Sequence, residues 1–209
     1  MSCLGAILLA AGGSSRMGSP KQLLQVSGET LLRRAARAAL DAGADPVIVV
    51  LGHAAEACRE SVEDLPVRPV VNEEWREGQG SSLRCGVAAL LANKPDCPAV
   101  LVLLTDQVQV TAEVIRRLSV AFHKRGKGIA VSRYGEVLGP PAIFHARYFP
   151  QLAALQGDRG ARSIIAEAAE EVAVVDFPEG AIDLDTPADF QRWLEHDTAA
   201  QRSGGGDRP

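Results

Sequence analysis

The sequence lacks an apolar run that could cross a membrane, and it lacks an excess of positive charge. No segment approaches the roughly 20 apolar residues of a membrane span. The short N-terminal apolar stretch has no basic leader typical of a signal peptide. A formal net charge of −4 argues against a general nucleic-acid-binding surface. We therefore expect a soluble, cytoplasmic protein that holds any anionic ligand with local positive groups.

Cysteine is scarce and scattered along the chain. Cys3, Cys58, Cys85 and Cys97 form no C-x-x-C pair and have no histidines beside them at metal-binding spacing. This arrangement favours reduced thiols over a zinc site or a disulfide framework.

Two common phosphate-binding motifs are also missing. Gly13 and Gly18 have the spacing of a Walker A motif, but Ser19 and Pro20 follow where that motif needs Lys and Ser or Thr. The Gly-x-Gly-x-x-Gly fingerprint of dinucleotide-binding domains is absent, so an NAD-type Rossmann domain loses its main support.

Strand-like and helix-like segments alternate along the chain, which is the α/β layer pattern. With 209 residues, 46% of them hydrophobic, the chain can bury a full core as one domain. We predict strands at 5–10, 46–51, 67–71, 99–104, 128–132, 142–144 and 172–176. We predict helices at 30–42, 54–65, 81–92, 112–124, 161–171 and 187–196. Together they predict a three-layer αβα domain over 1–197, with a mostly parallel sheet, a small antiparallel or cap portion in the second half, and a disordered tail over 198–209.

A loop of small and basic residues follows the first predicted strand. In order, it contains Ala10, Ala11, Gly12, Gly13, Ser14, Ser15, Arg16 and, after a turn, Lys21. Small residues let backbone N–H groups approach an anion closely, and Arg16 and Lys21 add positive charge. We predict that this loop binds a polyphosphate. The alternative is an ordinary glycine-rich turn with solvated basic residues.

Two acidic residues are candidate metal ligands. Asp106 stands at the carboxyl end of the most apolar strand, the edge at which open α/β sheets bind ligands. A carboxylate there suits Mg²⁺, and the gap to the next helix is too long for Asp106 to cap it directly. Asp185 precedes the last helix, where it either completes the metal site or, like Thr186, simply caps that helix.

Two further segments are candidate nucleoside and anion sites. Gly80, Ser81 and Ser82 precede a helix, where close backbone approach and hydroxyl groups suit a nucleobase or ribose; an N-cap role for Ser81 is the alternative. Asp158 and Arg162 belong to a glycine-bracketed turn that suits a second anion, with a solvated loop as the alternative.

Two more expectations concern pocket walls. Gly139 and Pro140 lie in a stiff connection that we expect to form one wall of a pocket. We expect Trp75, in the segment before Gly80, to pack within the protein rather than to stack on a base.

Six blocks carry a resemblance to a known family. In order, they are LAAGGSSRMGSPKQLL, VVNEEWREGQGSSLRCGV, LVLLTDQ, GPPAIF, GDRGAR and DLDTPADF, and they span residues 5–190. With these blocks the chain resembles the MobA-like NTP transferases, and most closely the molybdenum cofactor cytidylyltransferases of the MocA type. Val108 departs from the family, which usually has proline there. Ala-Ala-Gly-Gly in the first block, in place of Leu-Ala-Gly-Gly, favours CTP over GTP.

The resemblance implies a GT-A-like, Rossmann-like nucleotidyltransferase that uses Mg²⁺. It would transfer CMP from CTP to the terminal phosphate of molybdopterin and release pyrophosphate. Its N-terminal half would bind the nucleotide and its C-terminal half the acceptor. The partner implied is a molybdoenzyme of the xanthine dehydrogenase or aldehyde oxidoreductase type, and we expect the transferase itself to be a monomer.

The resemblance also implies a role for each candidate residue. Catalysis would fall to Lys21, Arg16 and Asp106, and the metal to Asp106 and Asp185. The nucleotide would contact the loop from Ala10 to Arg16, Lys21 and the segment from Gly80 to Ser82. The acceptor side would comprise Gly139, Pro140, Asp158 and Arg162.

Three other functions stay open at this point. One is guanylylation of the same cofactor, and another is transfer to a different phosphorylated acceptor, such as a sugar or polyol phosphate. The third is a cofactor-delivery chaperone for a molybdoenzyme, against which the presence of Lys21 and Asp106 argues.

Overall fold

The computed structural model describes residues 4–14, 17–124, 126–182, 184 and 186–203, with the backbone alone from 196 onward. The strands are β1 (Leu4–Ala10), β2 (Gln25–Val26), β3 (Glu29–Thr30), β4 (Val47–Leu51), β5 (Arg68–Val71), β6 (Ala99–Leu104), β7 (Ile129–Tyr134), β8 (Val137–His145) and β9 (Val172–Asp176). The helices are α1 (Leu31–Asp41), α2 (Ala55–Glu60), α3 (Gln79–Asn93), α4 (Ala112–Lys124), α5 (Phe149–Ala153), α6 (Arg162–Glu167) and α7 (Pro187–Ser203).

Seven of the strands form one sheet, in the order β5-β4-β1-β6-β8-β7-β9. β8 runs antiparallel to both of its neighbours, and the other neighbouring pairs are parallel. β2 and β3 pair separately as a short antiparallel ribbon. The predicted mostly parallel sheet, with its antiparallel portion in the second half, is confirmed.

The sheet is buried on both faces because its central strands β1, β4 and β6 contain no polar residue. Ala6 and Leu8 of β1 belong to one core, with α1, α2 and α4, whereas Ile7 and Leu9 belong to a second core, with α3, α5 and α6. Successive side chains of a strand point to opposite faces, so one apolar run supplies both cores. The result is the predicted three-layer αβα arrangement.

Helix α1 shows how the sequence sets its local structure. The Thr30 hydroxyl caps the helix by accepting a hydrogen bond from the Arg33 amide at 3.2 Å. Small and branched apolar residues such as Leu32 and Ala36 are buried against the sheet, while Arg33 and Arg37 pair with Glu29 on the outer side. The helix is therefore amphipathic and packs by its small-residue face.

A third apolar cluster packs the C-terminal helix, α7, against β2, α1 and the loop after β6. It contains Val26, Leu31, Val108, Leu184 and Trp193. Val108 is thus a core residue that joins the loop after β6 to α7.

α7 begins with a reciprocal cap between Thr186 and Asp189. The Asp189 amide donates to the Thr186 hydroxyl at 3.2 Å, and the Thr186 amide donates to the Asp189 carboxylate at 3.0 Å. The helix continues to Ser203, beyond its predicted end at 196, because residues 188–203 include no glycine or proline. Residues 198–203, expected in the disordered tail, are helical, and 204–209 lie outside the described residues.

Other boundaries also differ from the predictions. α2 ends at Glu60 rather than at 65, and the helix predicted over 161–171 divides into α6 and a 3₁₀ turn, Ala169–Glu171. Gly139 and Pro140, expected in a connection, lie within β8. The register with β7 shifts between Val131 and Ser132, opposite Pro140 and Pro141. Prolines, which lack an N–H group, are tolerated at such an interruption of the ladder.

The described cysteines lie in or near the core. Cys58 and Cys97 are buried and Cys85 is half-buried, and burial raises the pKa of the Cys58 thiol to about 11. Within the described ranges, no helix combines the length and the apolarity needed to span a bilayer.

Candidate active site

A cavity of about 640 Å³ lies at the carboxyl ends of β1 and β6. Because these two parallel strands are neighbours in the sheet, the segments that follow them meet at one edge. The residues that bring polar groups or exposed backbone to the cavity are Gly12, Gly13, Ser14, Lys21, Gln22, Arg76, Gly78, Gln79, Ser82, Thr105, Asp106 and Asp158.

The loop after β1 is shaped by Gln22, which the sequence analysis did not single out. Its buried side-chain amide donates to the carbonyl oxygens of Ala10 and Gly12 at 2.9 and 2.7 Å. The Ser14 hydroxyl donates to the side-chain oxygen of Gln22, Oε1, at 3.5 Å. These bonds partly neutralise the carbonyl dipoles of the loop, which lowers their repulsion toward a bound anion.

Ser14 closes the same loop onto Lys21. Its backbone is left-handed, with φ +48°, and its hydroxyl accepts a hydrogen bond from the Lys21 amide at 2.9 Å. The Ser14 carbonyl oxygen accepts from the Met17 amide at 2.9 Å. Lys21 lies in the cavity wall beside Gly12, Gly13 and Ser14. Ser15 and Arg16 lie outside the described residues, and Ala10 is the buried end of β1.

Asp106 lines the cavity directly after β6, next to Thr105. It does not cap α4, because the Thr111 hydroxyl accepts the hydrogen bond from the Val114 amide at 3.4 Å. The neighbouring Gln107 donates to the Pro140 carbonyl oxygen at 2.6 Å. Pro140 is thus connected to the Asp106 turn without lining the cavity itself.

The donor set around Asp106 fits a magnesium ion. Mg²⁺ is usually held by one or two carboxylates together with substrate phosphates and retained waters, and Asp106 supplies one such carboxylate. No cluster of three or more histidine, cysteine or acidic residues occurs in the part of the chain that the structure describes. Asp185, the second predicted ligand, lies outside that part.

Of the adjacent hydroxyls at the start of α3, Ser82 lines the cavity and Ser81 does not. The buried Asn72 side chain donates to both hydroxyls, at 2.9 Å to Ser81 and 3.1 Å to Ser82. The Ser81 hydroxyl lies 2.9 Å from the carbonyl oxygens of both Glu74 and Gly78, so it braces the turn before α3. Gly78, rather than Ser81, is the N-cap residue of α3.

Gly80 faces the neighbouring turn, not the cavity. Its amide donates to the Gly157 carbonyl oxygen at 2.9 Å, and a Cβ at this position would lie 2.9 Å from the Gln156 nitrogen. A Cβ at Gly78 would lie 2.5 Å from Asp158 Oδ1. The two turns therefore pack closely together, and Asp158, predicted for the acceptor, lies in the same cavity as the loop after β1.

The remaining predicted acceptor residues form a separate group. Arg162 donates to the Tyr134 hydroxyl at 3.3 Å. A Cβ at Gly139 would lie 2.8 Å from that hydroxyl and 3.1 Å from Arg162 Nε. Gly139, Arg162 and Tyr134 are thus brought together on the β7–β8 pair, but none of them lines the cavity.

Trp75 packs as predicted and also forms part of the cavity wall. A Cβ at Gly13 would lie 3.1 Å from its ring, and a Cβ at Gly52 would lie 2.7 Å from its own Cβ. The His53 ring lies 5.4 Å away, centroid to centroid. The Arg76 guanidinium lies over the indole, 4.3 Å from the ring centroid.

A family model described as the MobA-like NTP transferase domain matches residues 6–172. The chain belongs to the MobA-like NTP transferase family. The resemblance carried by the six sequence blocks is therefore confirmed, and so is the class of enzyme, a nucleotidyltransferase.

Individual relatives match this MobA-like NTP transferase over almost its whole length. It is 33% identical over 203 residues to the nicotine blue oxidoreductase of Paenarthrobacter nicotinovorans, covering 92% of this chain and 97% of that protein. A nucleotidyl transferase from Methanothermobacter superposes with a TM-score of 0.80 at 25% identity, covering 96% and 100% of the two chains. The manganese complex of Rv0371c from Mycobacterium tuberculosis superposes with a TM-score of 0.75 at 31% identity, covering 92% and 98%.

Proposed function

We propose that this MobA-like NTP transferase moves CMP from CTP to the terminal phosphate of molybdopterin and releases pyrophosphate. The observation that carries the proposal is one cavity in which the Gly12–Ser14 loop, Lys21 and Asp106 meet. The loop and Lys21 suit a triphosphate, and Asp106 suits the divalent ion that accompanies it.

In the proposed reaction, an oxygen of the acceptor phosphate attacks the α-phosphorus of CTP. A new P–O bond forms, the bond from the α-phosphorus to the bridging oxygen breaks, and pyrophosphate leaves with that electron pair. Such a displacement needs alignment and charge neutralisation more than covalent help. The backbone amides of the loop and Arg16 would hold the β- and γ-phosphates.

Lys21 would lie against the α-phosphate as negative charge develops there. A cation about 4 Å from that charge contributes on the order of 4 kcal/mol at an effective dielectric constant of 20, before desolvation. The backbone amide of Lys21 donates a hydrogen bond to the Ser14 hydroxyl. The position of Lys21 therefore depends on the conformation of the loop after β1.

Asp106 would hold Mg²⁺, with Asp185 as the second candidate ligand. When bound, the ion neutralises phosphate charge and lowers the repulsion toward an anionic nucleophile. Thr105, which lies beside Asp106 in the cavity wall, offers a further oxygen donor.

The remaining candidate residues would set the two substrates' positions. Ser82 would contact the nucleoside, while Gly80 and Ser81 support the wall behind it. Gly139, Pro140 and Arg162 would lie on the acceptor side, which the Gln107–Pro140 hydrogen bond connects to Asp106. The cytidylylated cofactor would then pass to a molybdoenzyme.

The test is pyrophosphate release from CTP, GTP, ATP and UTP, each supplied with magnesium and molybdopterin. We expect release with CTP, because the first loop reads Ala-Ala-Gly-Gly, whereas the guanylyltransferases resemble Leu-Ala-Gly-Gly. A clear preference for GTP would replace the proposal with guanylylation. Because one relative is named an oxidoreductase, an oxidation–reduction reaction is the competing activity, and it would release no pyrophosphate.

We predict that Lys21→Ala and Asp106→Ala each lower the rate of transfer by at least about 100-fold, the usual cost of removing a group that stabilises transition-state charge. Circular dichroism and the melting temperature should stay near those of the wild type, because both side chains line a cavity. Lys124→Ala, on the exposed end of α4, is the control. Near-normal transfer by either folded cavity variant would contradict its assigned role.

A further inference from the structure

Arg76 is a cation in the cavity wall to which no role has been assigned so far. Its side chain lines the same cavity as Gly13 and Lys21, and its guanidinium stacks on Trp75. Across the described residues, no carboxylate forms an ion pair with it.

The acidic residues nearest to Arg76 in sequence are engaged elsewhere. Glu74 and Glu77 both accept from Arg84 at 3.0 Å, and these bonds, that to Glu77 first, raise the pKa of Arg84. Arg84 also donates to the Leu155 carbonyl oxygen at 2.9 Å. Glu74 and Glu77 are therefore held by Arg84 rather than by Arg76, whose side chain lies in the cavity wall.

The Trp75 ring fixes where that charge lies. The indole has little freedom, because Trp75 packs so closely against Gly13 and Gly52 that neither position has space for a side chain. A guanidinium stacked on a ring keeps the N–H groups at its edge available. Two of these groups can donate parallel hydrogen bonds to two oxygens of one phosphate. Since the ring also contacts Gly13 of the phosphate loop, the geometry favours the phosphate chain over the base.

We infer that Arg76 binds the terminal phosphates of the nucleotide and the pyrophosphate that leaves. The inference rests on the proposed function, because it takes the phosphate loop as the triphosphate site. It adds a third cation to Lys21 and Arg16, supplied by the wall that precedes α3. Arg76 would thereby favour triphosphates over monophosphates.

Isothermal titration calorimetry of CTP, CMP and inorganic pyrophosphate, at one magnesium concentration, tests the inference. For Arg76→Gln we expect about tenfold weaker binding of CTP and pyrophosphate, the effect of losing a hydrogen bond to a charged group, and unchanged binding of CMP. Arg76→Lys should restore only part of the lost affinity, because the lysine ammonium has no planar face to stack on the indole and cannot form a bidentate pair of hydrogen bonds to a phosphate. Arg68→Gln, an exposed arginine on β5 outside the cavity, is the charge-matched control.

Trp75 provides a second, independent variant. Trp75→Leu removes the platform, so it should weaken pyrophosphate binding, and its effect should be less than additive with that of Arg76→Gln. Trp75→Phe, which keeps a ring, should bind pyrophosphate more tightly than Trp75→Leu. Fully additive effects would show that the ring does not position the guanidinium.

Several results would overturn the inference. One is CTP and pyrophosphate binding by Arg76→Gln equal to that of the wild type. Another is an equal loss for CMP, which would assign Arg76 to the nucleoside. If the wild type binds pyrophosphate but not CTP, and Arg76→Gln weakens the binding of pyrophosphate, the proposed function is refuted while the anion site is supported. A wild type that binds neither ligand would refute both.

Discussion

Gln22 joins the end of β1 to the phosphate loop through a side-chain amide that is almost completely buried. Its hydrogen bonds to the Ala10 and Gly12 carbonyl oxygens need two N–H donors. In Gln22→Glu, a carboxylate would face those carbonyl oxygens with no proton to offer. The shape of the side chain stays the same while the hydrogen bonding is lost.

We predict that Gln22→Glu weakens CTP binding and destabilises the fold by about 1–3 kcal/mol, the cost of leaving buried polar groups unpaired. Chemical denaturation and calorimetry with CTP measure the two effects. Gln25→Glu, an exposed substitution on β2, should change neither by more than about 0.5 kcal/mol. Tight CTP binding by Gln22→Glu would show that the loop does not depend on this side chain.

Some of these residues could be predicted from the sequence and others could not. Lys21 and Asp106 follow strands at the edge where α/β sheets bind ligands, so their types and positions were informative. Gln22 donates hydrogen bonds to the carbonyl oxygens of Ala10 and Gly12, 12 and 10 residues earlier in the chain. No local sequence pattern predicts that the chain folds back to bring them together. Ser81 and Ser82 are equivalent in sequence, and only the direction of the first turn of α3 separates them.

At the scale of the elements, the first turn of α3 packs the backbone of Gly80 directly against the turn before α6. A Cβ at Gly80 would lie 2.9–3.0 Å from backbone atoms of Gln156 and Gly157. Since backbone moves less readily than a side chain, the two turns must separate if Gly80 is replaced. Asp158 would then leave its place in the cavity wall.

We predict that Gly80→Ala destabilises the protein by about 1–3 kcal/mol, the usual cost of overpacking, and raises the KM for CTP. Denaturant unfolding and initial rates measure the two effects. Ala88→Ser, on the exposed side of α3, is the control and should be within about 0.5 kcal/mol of the wild type. If Gly80→Ala keeps both values unchanged, the two turns are not coupled.

Periodicity predicted the elements that bury apolar side chains, and it missed those that depend on tertiary contacts. The runs at β4 and β6 are unmistakable, since every residue is apolar. The β2–β3 ribbon and α5 are too short to have a period. β8 was predicted too short because Pro140 and Pro141 are rare in strands, and only the register shift beside Ser132 explains how they are accommodated.

For the molecule as a whole, the sheet order is what assembles the site. β1 lies between β4 and β6, and β6 pairs with the antiparallel β8. The phosphate loop, Asp106 and the Gly139–Pro140 segment are far apart in sequence, yet they follow or belong to neighbouring strands. The sequence predicted the layers and the mostly parallel sheet, but pairing of β6 with β8 is a long-range contact that no local pattern specifies.

The surface ion pairs predict how stability depends on pH. Arg33 donates to Asp64, with Nη2 to Oδ2 at 2.6 Å, and this hydrogen bond lowers the pKa of Asp64 from 3.8 to about 2. A carboxyl group whose pKa is lower in the folded state stabilises the fold above its unfolded pKa. That contribution is lost as the pH falls from about 4 to about 2.

We therefore expect Asp64→Asn to flatten the decline of the free energy of unfolding between about pH 4 and pH 2. Urea unfolding at several pH values measures the slope, and Asp96→Asn, at an exposed carboxylate that is not part of the Arg33–Asp64 pair, should leave it unchanged. An unaltered slope in Asp64→Asn would show that the pair with Arg33 does not persist in solution.

The central claim is that the glycine-serine loop after β1 holds a triphosphate and that Asp106 holds the accompanying metal. A crystal structure of the protein soaked with CTP and magnesium measures this most directly. We predict phosphate density against Gly12, Gly13, Ser14 and Lys21, with the ion on the Asp106 carboxylate. An empty loop in a crystal that holds CTP at another place would contradict the account.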